Sequence, residues 1–238
     1  AGRATISTEA MTNTEGVFRT DLSDIKQADD ENFVMGINHS VLHGFNYSPP
    51  EAGFPGWVRF GTYFSENNPW WPYLSHWTEY NARLSSVFQT AEPVGQCAVL
   101  APLADATSDH GLWRKPFQTL PAHRLWDPLQ RSGYSVDYLH EPVIQESETD
   151  GGVLAFGPMS FPVLILAGVK SLQVDTARKI SRFVAGGGRL IFLDDVPSRA
   201  PTMAEGKDGD STVQKMMETM LNGYPETVRR VSSTGSVE

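Results

Sequence analysis

The sequence predicts an α/β protein in two parts: a partial (β/α)8 barrel segment over residues 1–94, then a doubly wound α/β domain over residues 95–225. Three observations carry this. Thr5 to Met11 (TISTEAM) and Met35 to Tyr47 (MGINHSVLHGFNY) read as strands running into Glu, Asn, His and Tyr at their C-terminal ends. A parallel barrel presents its polar side chains at one rim in this way. Between them Asp21, Leu22, Ile25, Ala28 and Phe33 fit a helix that starts on an Asp cap and buries one stripe. From Cys97 onward short apolar runs alternate with helical patterns, as in a parallel sheet covered by helices.

Taken in order, strand, helix and strand within about forty residues make one βα repeat. SPPEAGFPGW, after Tyr47, is dense in Pro and Gly and reads as an ordered loop because it is also aromatic. Asn67, Asn68 and Pro69 mark a turn, and Trp77, Tyr80, Leu84, Val87 and Phe88 recur at helical spacing up to about Gln89. Glu92, Pro93 and Gly95 then mark a domain boundary near residue 94. Cys97 to Leu103 is a buried strand, His123 to Ser132 a helix closed by Gly133, and Val136 to Leu139 a second strand. Pro162 to Ala167 is a third strand, Thr176 to Val184 a helix with Ile180, Phe183 and Val184 inward, and Arg189 to Leu193 a fourth strand after the Gly186 to Gly188 cap. Met203 to Thr212 reads as polar loop, Val213 to Leu221 as a helix, and 226–238, ending in VSSTGSVE, as a linker or truncated tail.

Composition narrows the function. An apolar fraction of 40% in 238 residues fills a core, and no run of eighteen apolar residues exists to span a membrane. A net charge of −9 with scattered Lys and Arg argues against a nucleic-acid partner. The single cysteine, Cys97, forms no internal disulfide and sits at the start of a strand without the glycines of a nucleophile elbow, so it reads as a core thiol. The chain starts at Ala1 without an initiator Met, and the expectation is a piece of something longer.

Glu9 stands at a strand end among small and hydroxyl residues, where a glycosidase keeps an acid, base or nucleophile; the alternative is a surface Glu on an edge strand. Asn38, His39, His43 and Tyr47 cluster at the same rim and suit sugar hydroxyls, with structural histidines as the alternative. His39 and His43 lack a third partner for a metal. Trp70 and Trp71 cannot both face inward on a strand, which leaves one, with Trp70 the candidate, to line a pocket. Asp208 and Asp210 in GKDGDST have part of a calcium-loop pattern without its later Glu and read as solvated loop.

GINHSVLHGFNYSP, PGW, ENNPWW and WTEYNARLSSVFQ, followed by CAVLAPLAD, GYSVDYLHEPVI, FGPMSFPVLILAGVKSLQ and FVAGGGRLIFLDDVPSRAP, resemble glycoside hydrolase family 106, the α-L-rhamnosidases, from about Thr5 to Pro201. The resemblance implies the end of a catalytic barrel plus an accessory domain that buttresses it. It implies an inverting, calcium-assisted hydrolase that removes terminal rhamnose from carbohydrate substrates, secreted or periplasmic. Glu9 then matches one catalytic glutamate, with general base the assignment, and Asn38, His39, His43 and Tyr47 would line the sugar pocket. A full barrel needs some 250 residues, so the second carboxylate and the remaining domains are expected elsewhere in a longer chain, and this segment alone is expected to be inactive. The rival is a non-catalytic carbohydrate-binding or scaffolding module on a glutamine-amidotransferase-like α/β domain.

Overall fold

The computed structural model describes residues 3–12, 15–57, 61–92, 94–110, 123–202 and 206–232. They fall into two compact units, 2–92 and 93–238.

The first unit runs β1 (Ser7–Ala10), α1 (Leu22–Val34), β2 (His39–Leu42) and α2 (Leu74–Thr90), with short 3-10 turns at Pro50–Ala52 and Trp71–Tyr73. Its strands are parallel, with Ser7 opposite His39 and Glu9 opposite Val41. α1 begins where the sequence places its cap. The Asp21 carboxylate accepts from the backbone N–H of Ser23 and Asp24, and Asp24 returns the bond to the Asp21 N–H. Such a reciprocal box contributes about 1 kcal/mol, and the hydroxyl of Ser23 holds the Asp21 carboxyl below its usual range. Ile25 and Phe33 are buried on one stripe, and the Phe33 ring stacks on Phe88 of α2 at 5.3 Å.

Between α1, β2 and α2 lies Asp29, which is completely buried. Its carboxyl group accepts from Ser40 Oγ at 2.8 Å, Trp77 Nε1 at 3.1 Å and Asn81 Nδ2 at 2.6 Å. A buried polar group is tolerated only when it is bonded. Asp29 meets that condition by tying three elements together.

The second unit is a five-stranded parallel sheet. It comprises β3 (Cys97–Leu100), α3 (Leu103–His110), α4 (His123–Arg131), β4 (Val136–Leu139), α5 (Glu141–Glu146), the hairpin β5 (Leu154–Phe156) and β6 (Met159–Phe161), β7 (Val163–Ala167), α6 (Val174–Ala185), β8 (Arg189–Leu193), α7 (Gly206–Gly223) and β9 (Val228–Val231). The sheet order is β4-β3-β7-β8-β9. Alternate residues of the inner strands β3, β7 and β8 enter two separate cores. Leu164 and Leu166 join Ile180 and Phe183 of α6 and Met217 of α7, whereas Ile165 and Ala167 join Val99, with Leu125 and Trp126 of α4 packed against them. Both faces are therefore covered, which is why these strands read as unbroken apolar runs.

Several expectations need correction. Residues 103–110 form a helix directly after β3, which itself stops at Leu100. The Asp208 and Asp210 segment is the first part of α7 rather than a solvated loop, and Asp210 Oδ1 accepts the Ala200 N–H at 2.7 Å. The linker expected from residue 226 begins instead with β9, which pairs in parallel with β8. Only Val228 of that strand is buried, and Arg229 and Arg230 face solvent at the sheet edge, so a single apolar residue leaves no period to read. Phe60, Pro93, Met203 and the tail 233–238 lie outside the described residues.

The glycine triplet closes α6, with Gly187 in the left-handed region at φ +99. Gly152 also has positive φ, +73, and a Cβ there would lie 2.8 Å from the backbone of Gly186, Gly187 and Gly188. Gly152→Ala is expected to cost about 2 kcal/mol through left-handed strain plus overlap, read as a lowered urea midpoint of the second unit; an unchanged midpoint would mean that this backbone contact is not tight.

Asp137, in edge strand β4, has its carboxyl pKa raised by burial. The penalty is absent at low pH, where the group is protonated folded and unfolded. It builds as pH rises from the ordinary carboxylate range to the raised folded value, and is full above it. Asp137→Asn is therefore expected to raise the melting temperature by about 1–2 °C at pH 7 and by nothing at pH 3, as scanning calorimetry at both pH values would register.

Candidate active site

Strand alternation decides what faces out of the first unit. Along β1, Ser7 and Glu9 are exposed while Ala10 is buried, and along β2, His39 and Val41 are exposed beside them. The parallel ladder continues one residue past β2, because the His43 N–H donates to the Ala10 carbonyl at 3.0 Å. That bond carries the His43 ring to the end of β1. Its Nε2 stands 3.9 Å from Glu9 Oε1, and its Nδ1 lies 3.4 Å from Thr12 Oγ1. Both side chains stay open to solvent, Glu9 at 68% exposure and His43 at 38%, as a group that meets a ligand must.

The chain segment around Gly61 closes the other side of His43. A Cβ at Gly61, where φ is +83, would come within 2.8 Å of the His43 carbonyl oxygen, and the neighbouring Thr62 N–H donates to the Met11 carbonyl at 3.1 Å. Glycine alone permits that approach.

Glu9, though not His43, borders a cleft of about 360 Å³ along β1 and α1, with Thr12, Glu15, Asp24, Asn32 and Met35 among its other lining residues. The volume falls within the range of small-ligand sites. Several carboxylates on its walls suit a polar, uncharged or cationic ligand rather than an anion.

The remaining candidates separate. Asn38 is buried, its Nδ2 donates to the Ala4 carbonyl at 2.8 Å and its Oδ1 accepts the Ile6 N–H at 3.0 Å. It clamps the start of β1 to the start of β2, at the end opposite the strand C-termini. One amide N–H and the amide oxygen are thus engaged by backbone rather than presented at the rim. His39 sits at the same early end and pairs with Ser7, Oγ to Nδ1 at 2.9 Å. Trp70 is half-buried: its ring packs edge-on against Phe64 at 5.6 Å, against the cluster of Ile25, Phe64 and Trp77, and its Nε1 donates to the Thr20 carbonyl at 2.9 Å. Tyr47 is 67% exposed on the loop after β2. Thr12 and Glu15 were missed; period-two alternation identifies Ser7 as a face-mate of Glu9, but nothing local marks these two.

The second unit has its own candidate position. In open α/β sheets, ligands sit at the C-terminal strand ends where the strand order reverses, here between β3 and β7. That crevice holds only about 30 Å³. Asp105 Oδ2 accepts the N–H groups of Lys170 and Ser171 at 2.8 and 3.2 Å, and Glu141 Oε2 accepts that of Gln173 at 2.9 Å. The protein's own carboxylates occupy the donors that a ligand anion would use. Cys97 is buried in the sheet, with its thiol pKa pushed up by burial, which is the opposite of what a nucleophile needs.

Among the described residues no group of three or more His, Cys, Asp or Glu side chains is arranged to hold a metal ion. None of the described residues is assigned to the calcium that the resemblance implies. Nor is any described helix long and apolar enough to cross a membrane.

Comparison with known proteins adds two findings. The family model described as alpha-L-rhamnosidase, glycoside hydrolase 106, matches residues 1–237. The fold is similar to that of a rhamnosidase from Novosphingobium sp. PP1Y, with a TM-score of 0.68 at 22% identity, over 97% of this chain and 22% of that one. The chain thus spans about a fifth of that protein's length. No curated protein matches it.

Proposed function

Since the chain belongs to glycoside hydrolase family 106, the α-L-rhamnosidases, we propose that it is part of a larger inverting hydrolase in which Glu9 is the general base. The observation that carries this reading is the exposed Glu9 carboxylate at the C-terminal end of β1, beside a cleft and 3.9 Å from His43. Inversion requires two carboxyl groups about 6.5 to 9.5 Å apart, one protonating the leaving oxygen and one taking a proton from the attacking water. In this reading Glu9 takes the water's proton as the oxygen bonds to the anomeric carbon. The second carboxyl, on other parts of the whole enzyme, protonates the departing glycosidic oxygen.

β1, α1, β2 and α2 are read as the closing repeats of a catalytic barrel, and the second unit, amidotransferase-like in sequence pattern, as a buttress. The carboxylates of Asp105 and Glu141, which accept the N–H groups of Lys170, Ser171 and Gln173 at the β3–β7 crevice, support that reading. The substrate is read as a terminal rhamnose on a glycan or glycoside, and the enzyme as secreted or periplasmic.

The test is hydrolysis of 4-nitrophenyl α-L-rhamnoside by the 238-residue chain and by the full-length enzyme that contains it. Turnover by the full-length enzyme alone, with the β-anomer as first product by proton NMR, is the expected result. Turnover by the short chain would refute the need for a second carboxyl from elsewhere, and the α-anomer would refute inversion.

A further inference from the structure

We propose that Phe54, braced from behind by Phe18 and Tyr63, is a stacking platform for the ring next to the terminal rhamnose in the substrate, either a second sugar or an aryl group. This rests on the reading of the chain as part of a rhamnosidase, and it assigns a place to the group that carries the rhamnose.

Three aromatic rings form a stack that ends in solvent. Tyr63 is buried, the Phe18 ring lies 5.1 Å from it, and the Phe54 ring stacks on Phe18 at 5.5 Å with 29° between the planes. Phe54 is still 79% exposed, and Trp57 in the same loop is 63% exposed. One face of the Phe54 ring is therefore fixed against protein while the other is open.

The loop that carries these rings is tied down. Ser48 Oγ accepts the Trp57 N–H at 2.8 Å, the Ala52 N–H donates to the Pro49 carbonyl at 2.9 Å, and the Pro55 carbonyl accepts from the Tyr63 hydroxyl. Gly56, at φ +100, runs so close that a Cβ there would stand 2.7 Å from Tyr63 Oη. Phe18 itself has φ +60, a strained conformation for a bulky residue that persists only where its surroundings hold it. Apolar rings facing water are unfavourable. A ring arriving from outside removes that exposed area and meets a surface already ordered, so little entropy is lost on binding.

The platform stands at the rim that carries Glu9. Phe18 lies on the connection from β1 to α1, between Glu15 and Thr20, and Phe54 lies on the segment after β2 that leads to Thr62. Glu15, Thr20 and Thr62 all border the cleft that Glu9 borders, and the Thr62 N–H is bonded to the Met11 carbonyl just past β1. An enzyme that removes a terminal sugar encloses that sugar and lets the rest of the substrate run outward, so an exposed ring beyond the cleft meets the next unit. The C–H face of a pyranose and the face of an aryl group are both apolar and stack on a phenyl ring, while the hydroxyls at the sugar's edge stay in water.

The test compares kcat/KM of the full-length enzyme and its Phe54→Ala variant on substrates that share the rhamnose. Methyl α-L-rhamnoside has no second ring, 4-nitrophenyl α-L-rhamnoside has an aryl ring, and a rhamnosyl-glucose disaccharide has a sugar ring. Phe54→Ala is expected to lose about five- to tenfold more on one or both ring-bearing substrates than on methyl rhamnoside, the scale of one aromatic stack, and mainly through KM. Phe54→Leu, which keeps apolar bulk without a flat face, should lose likewise, and Phe54→Tyr should restore the parent's values. Because the side chain is mostly exposed, the melting temperature should stay in place. Loss on the aryl substrate alone assigns the platform to aglycones, and loss on the disaccharide alone assigns it to glycans. Equal loss on all the substrates, or none, would overturn the platform while turnover of methyl rhamnoside leaves the rhamnosidase reading standing. A full-length enzyme that turns over none of them would refute that reading, and the platform with it.

Discussion

Glu9→Gln in the full-length enzyme is expected to lower kcat about 10³-fold, within the range for removing a positioned general base, while binding of rhamnose changes little. The amide keeps the shape and the solvent exposure of the side chain but accepts no proton from water. Glu9 bears on nothing that holds the fold, since it projects from the exposed face of β1 while Ala10 carries the packing. Loss of turnover with an unchanged melting temperature and unchanged sugar affinity, by calorimetric titration, is therefore the predicted combination. Undiminished turnover would leave the non-catalytic carbohydrate-binding or scaffolding reading as the better one.

Asp29→Ala should be the most damaging single change to the first unit, at about 3–5 kcal/mol. The substitution leaves a void at a fully buried position and strands the buried Trp77 indole N–H together with the half-buried Ser40 hydroxyl and Asn81 amide. Those donors come from β2 and α2, so the loss also frees the elements that hold His39 and His43. Urea unfolding followed by tryptophan fluorescence reads it well, because Trp70, Trp71 and Trp77 pack in that core. Asp29→Asn keeps an acceptor but turns an amide N–H toward other donors, and an intermediate loss is expected. A loss under about 1 kcal/mol for Asp29→Ala would show that the three elements are held by apolar packing instead.

What was legible in the sequence was local. α1 announced itself through Asp21 and the spacing of Ile25 and Phe33, and α6 through Ile180, Phe183 and Val184, all buried as their period requires. β7 and β8 were visible because strands buried on both faces read as continuous apolar runs. The hairpin β5–β6, the helix α3 and the edge strand β9 were not, because three to eight residues of mixed polarity carry no period that separates one state from another.

The polar residues divide by a different rule. Asn38, Trp70, His43 and Glu9 are all plausible sugar-binding side chains, and composition ranks none above another. Asn38 and Trp70 spend their donors and acceptors on the backbone of Ala4, Ile6 and Thr20, whereas Glu9 and His43 reach solvent together. Asp29 gave no signal at all, since one acidic residue within a run of acidic residues reads as solvated helix surface.

By itself the sequence determined where the strongly periodic helices and the inner strands fall and the sign of the overall charge, because hydrophobic periodicity and composition are written within short windows of chain. Only the tertiary structure decided which carboxylate was buried and which was presented. Those assignments depend on the register that sets Ser7 opposite His39 and on the close approach of Gly61 to His43. Both are relations between residues far apart in the chain, and a short window cannot encode them.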